Sequence, residues 1–453
     1  MARTPLRGPS SARDLARRGR SGEWPTAADR RFRRGRQGPS RSSRAARGPS
    51  RARGLTVNPP RDRPDRSEPA DGGVRSDGDI REVTVETERA GRYPVRVGRG
   101  VLGDLPELVR EHVSGGADPA HLAIISDDRV AELYGDRVRG LLDGIAPVTL
   151  HTFPHGEQNK NRLQWAALTD SLLERGVGRD GWVIALGGGV TGDLAGFVAA
   201  TYMRGIPVVQ IPTSLVAMID SAVGGKTGID LPGGKNLVGA FHPPRFVLVD
   251  VELTGTLPRR ERAQGLVEAL KHGAILDVAY FETLLAEADR LLDGDPRASF
   301  RAVLRSVELK ARVVSLDERE GGLRQILNFG HTLGHALEAS SGYRLPHGSA
   351  VAQGMVLEAR VGERLGVTRR GTADRIAEGV RRLELEPETG PSDEARVDAL
   401  MERAARDKKA RAGAVRYVLL REVGATRPEE GWSREVEDEV VRQVLRGAEG
   451  RRV

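Results

Sequence analysis

The chain has 453 residues, enough for two or three domains around a large buried core. It contains no cysteine, which excludes disulfides and thiolate ligands and leaves His nitrogen and carboxylate oxygen as the donors for any metal. The net charge of +8 is unevenly placed: residues 1–80 carry 20 Arg, no Lys and 9 acids, or +11, which leaves −3 for the remainder and no basis for a nucleic-acid-binding core.

No apolar run approaches the roughly 18–20 residues needed to span a bilayer, and the N-terminus lacks the apolar stretch of a secretory signal, so a cytoplasmic protein is expected. Residues 1–80 are rich in Arg, Pro, Ser and Gly and too poor in apolar residues to offset the entropy of ordering, which predicts a disordered extension. Such a segment is a basic arm for nucleic acid or anionic surfaces, a targeting segment, or an unselected extension from an upstream start. The last fits best, because the segment has no Lys, no aromatics in register and no repeat.

From Arg81 the pattern alternates, with V-T-V-E-T and Y-P-V-R-V-G reading as two paired strands. A helix over 102–113, the apolar strand 122–125, a helix over 130–142 and the strand 148–150 follow. Strand, helix, strand at this spacing predicts a parallel sheet. The helix 162–175 leads to the strand Trp182–Leu186, which runs directly into Gly187-Gly188-Gly189-Val190-Thr191-Gly192-Asp193. Glycines at 187, 189 and 192 satisfy G-x-G-x-x-G between strand and helix. That arrangement lets backbone N–H groups and a helix N-terminus cradle a pyrophosphate, and a tight turn is the plainer alternative. The fingerprint sits outside the first βαβ unit, which points to nucleotide binding in a non-standard mode.

After the strand 208–211, residues 212–236 set Asp220, Lys226, Lys235 and Asn236 among glycines, where side chains reach a ligand; lysines on glycine loops suit phosphate or carboxylate. A strand over 246–249 ends this part, and beyond Pro258 the pattern turns helical to about Lys409. The expected division is therefore an extension over 1–80, a Rossmann-like domain over 81–258 and a mostly helical domain over 259–453. Glu268 and Lys271 share a helix face, as a surface ion pair would. A long helix over 298–316 carries Lys310. His331 and His335 are four apart and share a helix face, and His347 opens the next helix; three of the nine histidines in so short a window read as half of a metal site.

Together the segments G-G-G-V-T-G-D, D-S-A-V-G-G-K-T-G, G-G-K-N, E-A-L-K-H-G, R-Q-I-L-N-F-G-H-T-L-G-H and L-P-H-G resemble the 3-dehydroquinate synthases, over residues 81–447. The resemblance implies a Rossmann-like domain followed by a helical one, a homodimer, NAD, and a divalent metal, usually zinc, with cobalt as the alternative. It implies the conversion of 3-deoxy-D-arabino-heptulosonate 7-phosphate to 3-dehydroquinate and phosphate in the shikimate pathway. The steps would be oxidation at C5, phosphate elimination, reduction and intramolecular aldol closure.

Carried over residue by residue, the resemblance makes Glu268, His331 and His347 the metal ligands and leaves His335 for proton transfer, against the simpler pairing of His331 with His335. NAD contacts would fall on Asp127, Glu157, Lys160, Gly189, Val190, Thr191, Gly192, Asp193, Thr213, Ser214, Lys226, Lys235, Leu253, Thr254, Gly255 and Thr256. Substrate contacts would be Asp220, Lys226, Lys235, Asn236, Lys271, Lys310, Arg324, Asn328, His335 and Lys408 or Lys409, with Arg204 lent by a dimer partner; Asp220, Lys226, Lys271 and His335 would be catalytic. A deoxyinosose or valiolone synthase, whose substrates lack the carboxylate, and a metal-dependent polyol dehydrogenase are the rival readings.

Overall fold

A computed structural model describes residues 80–87, 91–113, 118–387, 394–410, 415–427 and 431–447, without the side chains of 406–410. These residues all fall in one compact unit, 73–453. The expectation for 1–80 lies outside the described residues except at Ile80, which opens the first strand. Among the described residues no helix is long and apolar enough to cross a membrane.

The two alternating runs pair as predicted: β1 (Ile80–Thr87) and β2 (Gly91–Gly98) are antiparallel, with Val83 opposite Val95. A short turn leads into α1 (Leu105–Glu111) and then β3 (His121–Asp127). The predicted helix over 130–142 is present but interrupted: α2 (Asp128–Val130) passes through a π-turn before α3 (Asp136–Leu142). Next come β4 (Val148–Phe153), α4 (Arg162–Glu174), β5 (Gly181–Gly187), α5 (Gly189–Thr201) and β6 (Val208–Pro212). Residues 212–236, expected as glycine loops, instead hold a π-turn and a two-stranded hairpin, β7 (Lys226–Leu231) and β8 (Gly234–Phe241), before β9 (Val247–Asp250).

The main sheet has the order β1-β2-β9-β6-β5-β3-β4, parallel except for β1. β5, β6 and β9 are buried along their whole length, as near-continuous apolar strands covered on both faces should be. Alternation sorts the side chains: Ala123, Ile125, Val183 and Ala185 face α4 and α5. Leu122, Ile124, Ile184 and Leu186 join a core that continues into the helical half. β3 leads outward to β4 whereas β5 leads the other way to β6, so the order reverses between β3 and β5; in open α/β sheets that is where ligands bind, beyond the strands' carboxyl ends.

The helical half runs through α6 (Arg259–Leu276), α7 (Val278–Ala286), α8 (Ala288–Asp293), α9 (Pro296–Leu316), α10 (His331–Ser340), α11 (His347–Arg364), α12 (Thr372–Arg382), α13 (Glu394–Ala410) and α14 (Asp438–Leu445). Between α13 and α14 lie short strand pairs at Arg416–Tyr417 with Arg434–Glu435 and Leu420–Glu422 with Ala425–Thr426. α10 and α11 pack antiparallel through glycines. A Cβ on Gly334 would lie 2.9 Å from the Ala350 carbonyl oxygen, and one on Gly354 would lie 2.7 Å from the Gly334 nitrogen. That approach is what carries His331 and His335 to His347. Gly354→Ala is therefore expected to destabilise the protein: overpacking against backbone costs about 1–3 kcal/mol and outweighs the about 1 kcal/mol that Ala gains in helix propensity. A denaturation midpoint at or above that of the wild type would show that the helices have room to spare.

Candidate active site

His331 and His347 each stand at the first position of a helix, α10 and α11. The buried Glu358 of α11 accepts hydrogen bonds from Gly330 N (2.9 Å) and Leu333 N (3.2 Å), and so holds the otherwise unpaired N-terminus of α10. Burial pushes the Glu358 carboxyl up to about 8 despite these bonds. Glu268, on α6, is 1% exposed and points at both histidines: its Oε1 is 3.7 Å from His331 Nε2 and 3.9 Å from His347 Nε2. Neither Glu268 oxygen accepts an aligned hydrogen bond, although Lys271 Nζ forms a close ion pair with Oε2.

These separations are too long for hydrogen bonds. With bonds near 2.0–2.2 Å, the edge of a tetrahedron of N/O ligands is about 3.4 Å, so the spacing suits an ion between the three. All three donor atoms lie within 4.8 Å of one another. Burial, with Lys271 and the other two imidazoles, holds His331 well below its usual pKa and therefore neutral, as a ligand must be. The donor set fits a borderline divalent ion such as zinc or cobalt. His335 lies on the exposed side of α10, with its ring 5.3 Å from that of His331 and 5.9 Å from that of His347. Sharing a face at i, i+4 did not make His331 and His335 a pair on Glu268.

Around this centre Lys271, Lys310 and Arg324 are buried, whereas Lys226 is exposed. Lys271 is 1% and Lys310 5% exposed, where charged side chains are found only with partners. Lys310 Nζ is 2.6 Å from Asp220 Oδ1, and Asp220 in turn lies 3.9 Å from the buried His272 Nε2. Burial raises the Asp220 carboxyl, but Lys310 and Lys271 outweigh that and hold it well below the usual range. Arg324, also buried, donates through Nη1 to the Glu318 carbonyl and through Nη2 to Gly224 O (3.3 Å), and its Nε makes no hydrogen bond within the protein. Gly224 adopts φ +111° and a Cβ there would overlap the guanidinium, so the glycine makes room for the arginine. Lys226 and Asn328 both contact Glu320, which sequence reasoning did not single out. Asn236 is exposed at φ +54°.

The nucleotide side sits at the sheet's reversal. Asp127 ends β3; its Oδ1 accepts from Val130 N (3.1 Å) and its Oδ2 from Thr191 Oγ1 (3.2 Å), so β3 and α5 are tied together. A Cβ on Gly192 would lie 2.9 Å from Gln210 Oε1 of β6, which explains the last glycine as helix-on-strand packing. Val190 flanks Thr191 on the same first turn of α5, and the buried Thr213 donates its N–H to Gly187 O (2.9 Å), with Ser214 beside Gly188. The turn Val251–Thr256 carries Leu253, Thr254, Gly255 and Thr256, where Tyr134 Oη reaches both Leu253 O and Thr256 Oγ1. Lys160 is buried against Asp193 (3.0 Å), Glu157 (3.4 Å) and Asp230 (3.7 Å); burial would lower its pKa, but these carboxylates raise it instead.

A charge network runs from this side to the ligand centre. Lys235 Nζ lies 3.5 Å from Glu157 and 2.6 Å from Glu338, and Glu338 Oε2 lies 3.5 Å from His347 Nδ1. Glu338 was not predicted; in A-L-E-A-S it reads as a solvated helix residue. Arg204 stands exposed at φ +70° in the turn after α5. Lys408 and Lys409 lie on α13 at positions whose side chains are outside the described residues.

The parallel sheet with its glycine loop, joined to helices that converge His and Glu, defines a two-part α/β enzyme with a metal-type centre. Residues 150–264 match the model of the 3-dehydroquinate synthase N-terminal domain and residues 265–410 that of its C-terminal domain. The chain is 48% identical to the 3-dehydroquinate synthase of Pelobacter propionicus, over 71% of this chain and 89% of that one. It is 46% identical to that of Symbiobacterium thermophilum, over 72% and 91%. Among solved structures it resembles the 2-epi-5-epi-valiolone synthase of Streptomyces hygroscopicus with NAD+ and Zn2+ bound, at TM-score 0.70 and 28% identity over 80% of this chain and 98% of that one. The chain belongs to the 3-dehydroquinate synthase family.

Proposed function

We propose that the centre around Glu268, His331, His347, Lys310 and Arg324 converts 3-deoxy-D-arabino-heptulosonate 7-phosphate to 3-dehydroquinate and phosphate, the reaction of the shikimate pathway that defines the family. The chain is a phosphate-eliminating carbon–oxygen lyase. The observation that carries this reading is the pair of buried cations, Lys310 and Arg324, converging beside Asp220 and the Glu268–His331–His347 centre. A valiolone-type or deoxyinosose-type substrate has no carboxylate for these two cations to hold.

Asp127, Glu157, Lys160, the Gly189–Asp193 turn, Thr213, Ser214 and the 253–256 turn would hold NAD, whose chemistry when bound is reversible hydride acceptance from a substrate carbinol. Glu268, His331 and His347 would hold the divalent metal, which when bound polarises neighbouring substrate oxygens. The chain's own groups do the rest. Lys310 and the free Nε of Arg324 take the carboxylate. Lys226, Lys235, Asn236, a lysine of the 408/409 pair and the partner copy's equivalent of Arg204 take the phosphate, with Lys226 exchanging Glu320 for it. Asp220 and Lys271 orient the hydroxyls, and Asn328 the neighbouring oxygen. His335, beside the ligands but outside the set, takes the proton acidified by the transient ketone as the phosphate C–O bond breaks. On this reading residues 81–258 and 259–453 are the two domains, meeting at Pro258, which N-caps α6. The enzyme works as a cytoplasmic homodimer.

The Lys310 charge gives a pH dependence. Burial lowers its ammonium to about 8 in spite of Asp220, so the charge is present below that pH and lost above it. The kcat/KM is expected to fall as pH rises past 8, mainly through KM, and Lys310→Met to be both slow and flat across that range. A profile for Lys310→Met that keeps the wild-type limb would assign the titration elsewhere.

The reaction is tested by incubating protein, substrate, zinc and a catalytic amount of NAD, and following phosphate release and carbocycle formation. Net accumulation of NADH in step with turnover would instead identify a dehydrogenase. Turnover of a carboxylate-free heptulose phosphate at the higher rate would identify a valiolone-type cyclase.

A further inference from the structure

One carboxylate at the centre is accounted for neither by the ligand set nor by the substrate cations. Glu338 is 4% exposed on α10, and both of its oxygens are engaged: Oε1 by Lys235 Nζ at 2.6 Å and Oε2 by His347 Nδ1 at 3.5 Å. The opposite nitrogen of the same ring, Nε2, is the one that faces Glu268 at 3.9 Å. His335, Glu338 and His347 also form a second group whose donor atoms lie within 4.8 Å, which taken alone would be a second ion position. Two features argue against that. The Lys235 ammonium already occupies Glu338 and repels a cation, and His347 cannot both donate from Nδ1 and ligate through it. With the Lys235 ammonium 2.6 Å from Oε1, Glu338 is the charged acceptor toward which the imidazole N–H at Nδ1 orients.

We infer that Glu338 is a positioning residue: by accepting from Nδ1–H it fixes the tautomer and ring angle of His347, so that the Nε2 lone pair faces Glu268 and His331, and through Lys235 it ties this ligand to the β7–β8 hairpin. The inference rests on the assignment of Glu268, His331 and His347 to a metal. A carboxylate behind a ligating histidine raises its basicity and removes its freedom to rotate, and loss of such a partner costs about 10–100-fold in metal affinity.

The test is cobalt(II) binding to the metal-free full-length protein, followed by visible absorption and by competition with a chelator. Glu338→Ala is expected to bind one ion per chain about 10–100-fold more weakly than wild type. Glu338→Gln, whose amide oxygen still accepts from Nδ1–H, recovers most of that loss. His347→Ala loses binding. Wild-type affinity in Glu338→Ala with binding lost in His347→Ala overturns the inference and leaves the ligand set standing. Full affinity in His347→Ala overturns the ligand set, and the inference with it. Two ions in wild type and one in Glu338→Ala makes Glu338 a ligand and overturns its positioning role. A second measurement needs no variant to fold: 15N shifts of the His347 ring in metal-free wild type are expected to show the proton on Nδ1, and a proton on Nε2 alone overturns the inference.

Discussion

Glu268→Gln, His331→Ala and His347→Ala are each expected to lose bound metal and all turnover, whereas His335→Ala is expected to keep the metal and lose turnover. The three donors converge from α6, α10 and α11 with Nε2–Oε1 separations of 3.7 and 3.9 Å, and each substitution leaves a two-ligand site. Three protein ligands are the minimum for a catalytic zinc, whose remaining positions belong to water or substrate. Glu268→Gln is the sharpest of the set, because it keeps the volume and removes only the charge. It also takes away the carboxylate nearest the buried Lys271 ammonium, leaving Asp220 and Glu320 as the acidic groups that favour its charge. His335 stands on the exposed side of α10, so on the proposed reading its loss would remove a proton carrier while leaving the three donors in place. Metal content of the four purified variants decides the matter: loss of metal from His335→Ala alone, with the others loaded, would reverse the assignment.

Arg324→Ala is expected to lower kcat/KM for the carboxylate substrate by roughly 30-fold or more, since truncating one partner of a buried charge pair costs about 2–5 kcal/mol. Arg324 also donates to the Glu318 and Gly224 carbonyls, so the same change strands two acceptors and lowers stability. The carboxylate-free analogue separates these effects. If Arg324 serves the carboxylate, the analogue, already slow, loses little further in Arg324→Ala, and metal and NAD affinities stay near wild type. Equal losses for both substrates would mean that the arginine only braces the 224 and 318 loops.

Much of the fold was legible in the sequence. Alternation along Val83–Thr87 and Tyr93–Gly98 announced the hairpin, the apolar runs ending at Asp127 and Gly187 announced parallel strands, and helical periodicity beyond Pro258 announced the second half. The β7–β8 hairpin was not legible, because glycines and lysines over 224–236 read as loop; the pairing is held from outside, where Gly196 of α5 lets Thr227 pack against that helix.

What the sequence by itself determined is therefore local: the strand–glycine–helix junction at 187–192, the His331/His335 spacing, and, through a run of long motifs, the family. Spacing alone left the choice between His335 and His347 open and the resemblance supplied it; only the tertiary structure decided that Lys271, Lys310 and Arg324 are buried, and that Glu338 lies between Lys235 and His347. The reason is physical. Periodicity reports which side chains share a face of one element, because i to i+4 and i to i+2 geometry is set by the backbone alone. Whether a charge on that face is solvated or enclosed depends on which distant element arrives to cover it, and here the glycine-mediated approach of α11 to α10 makes that choice.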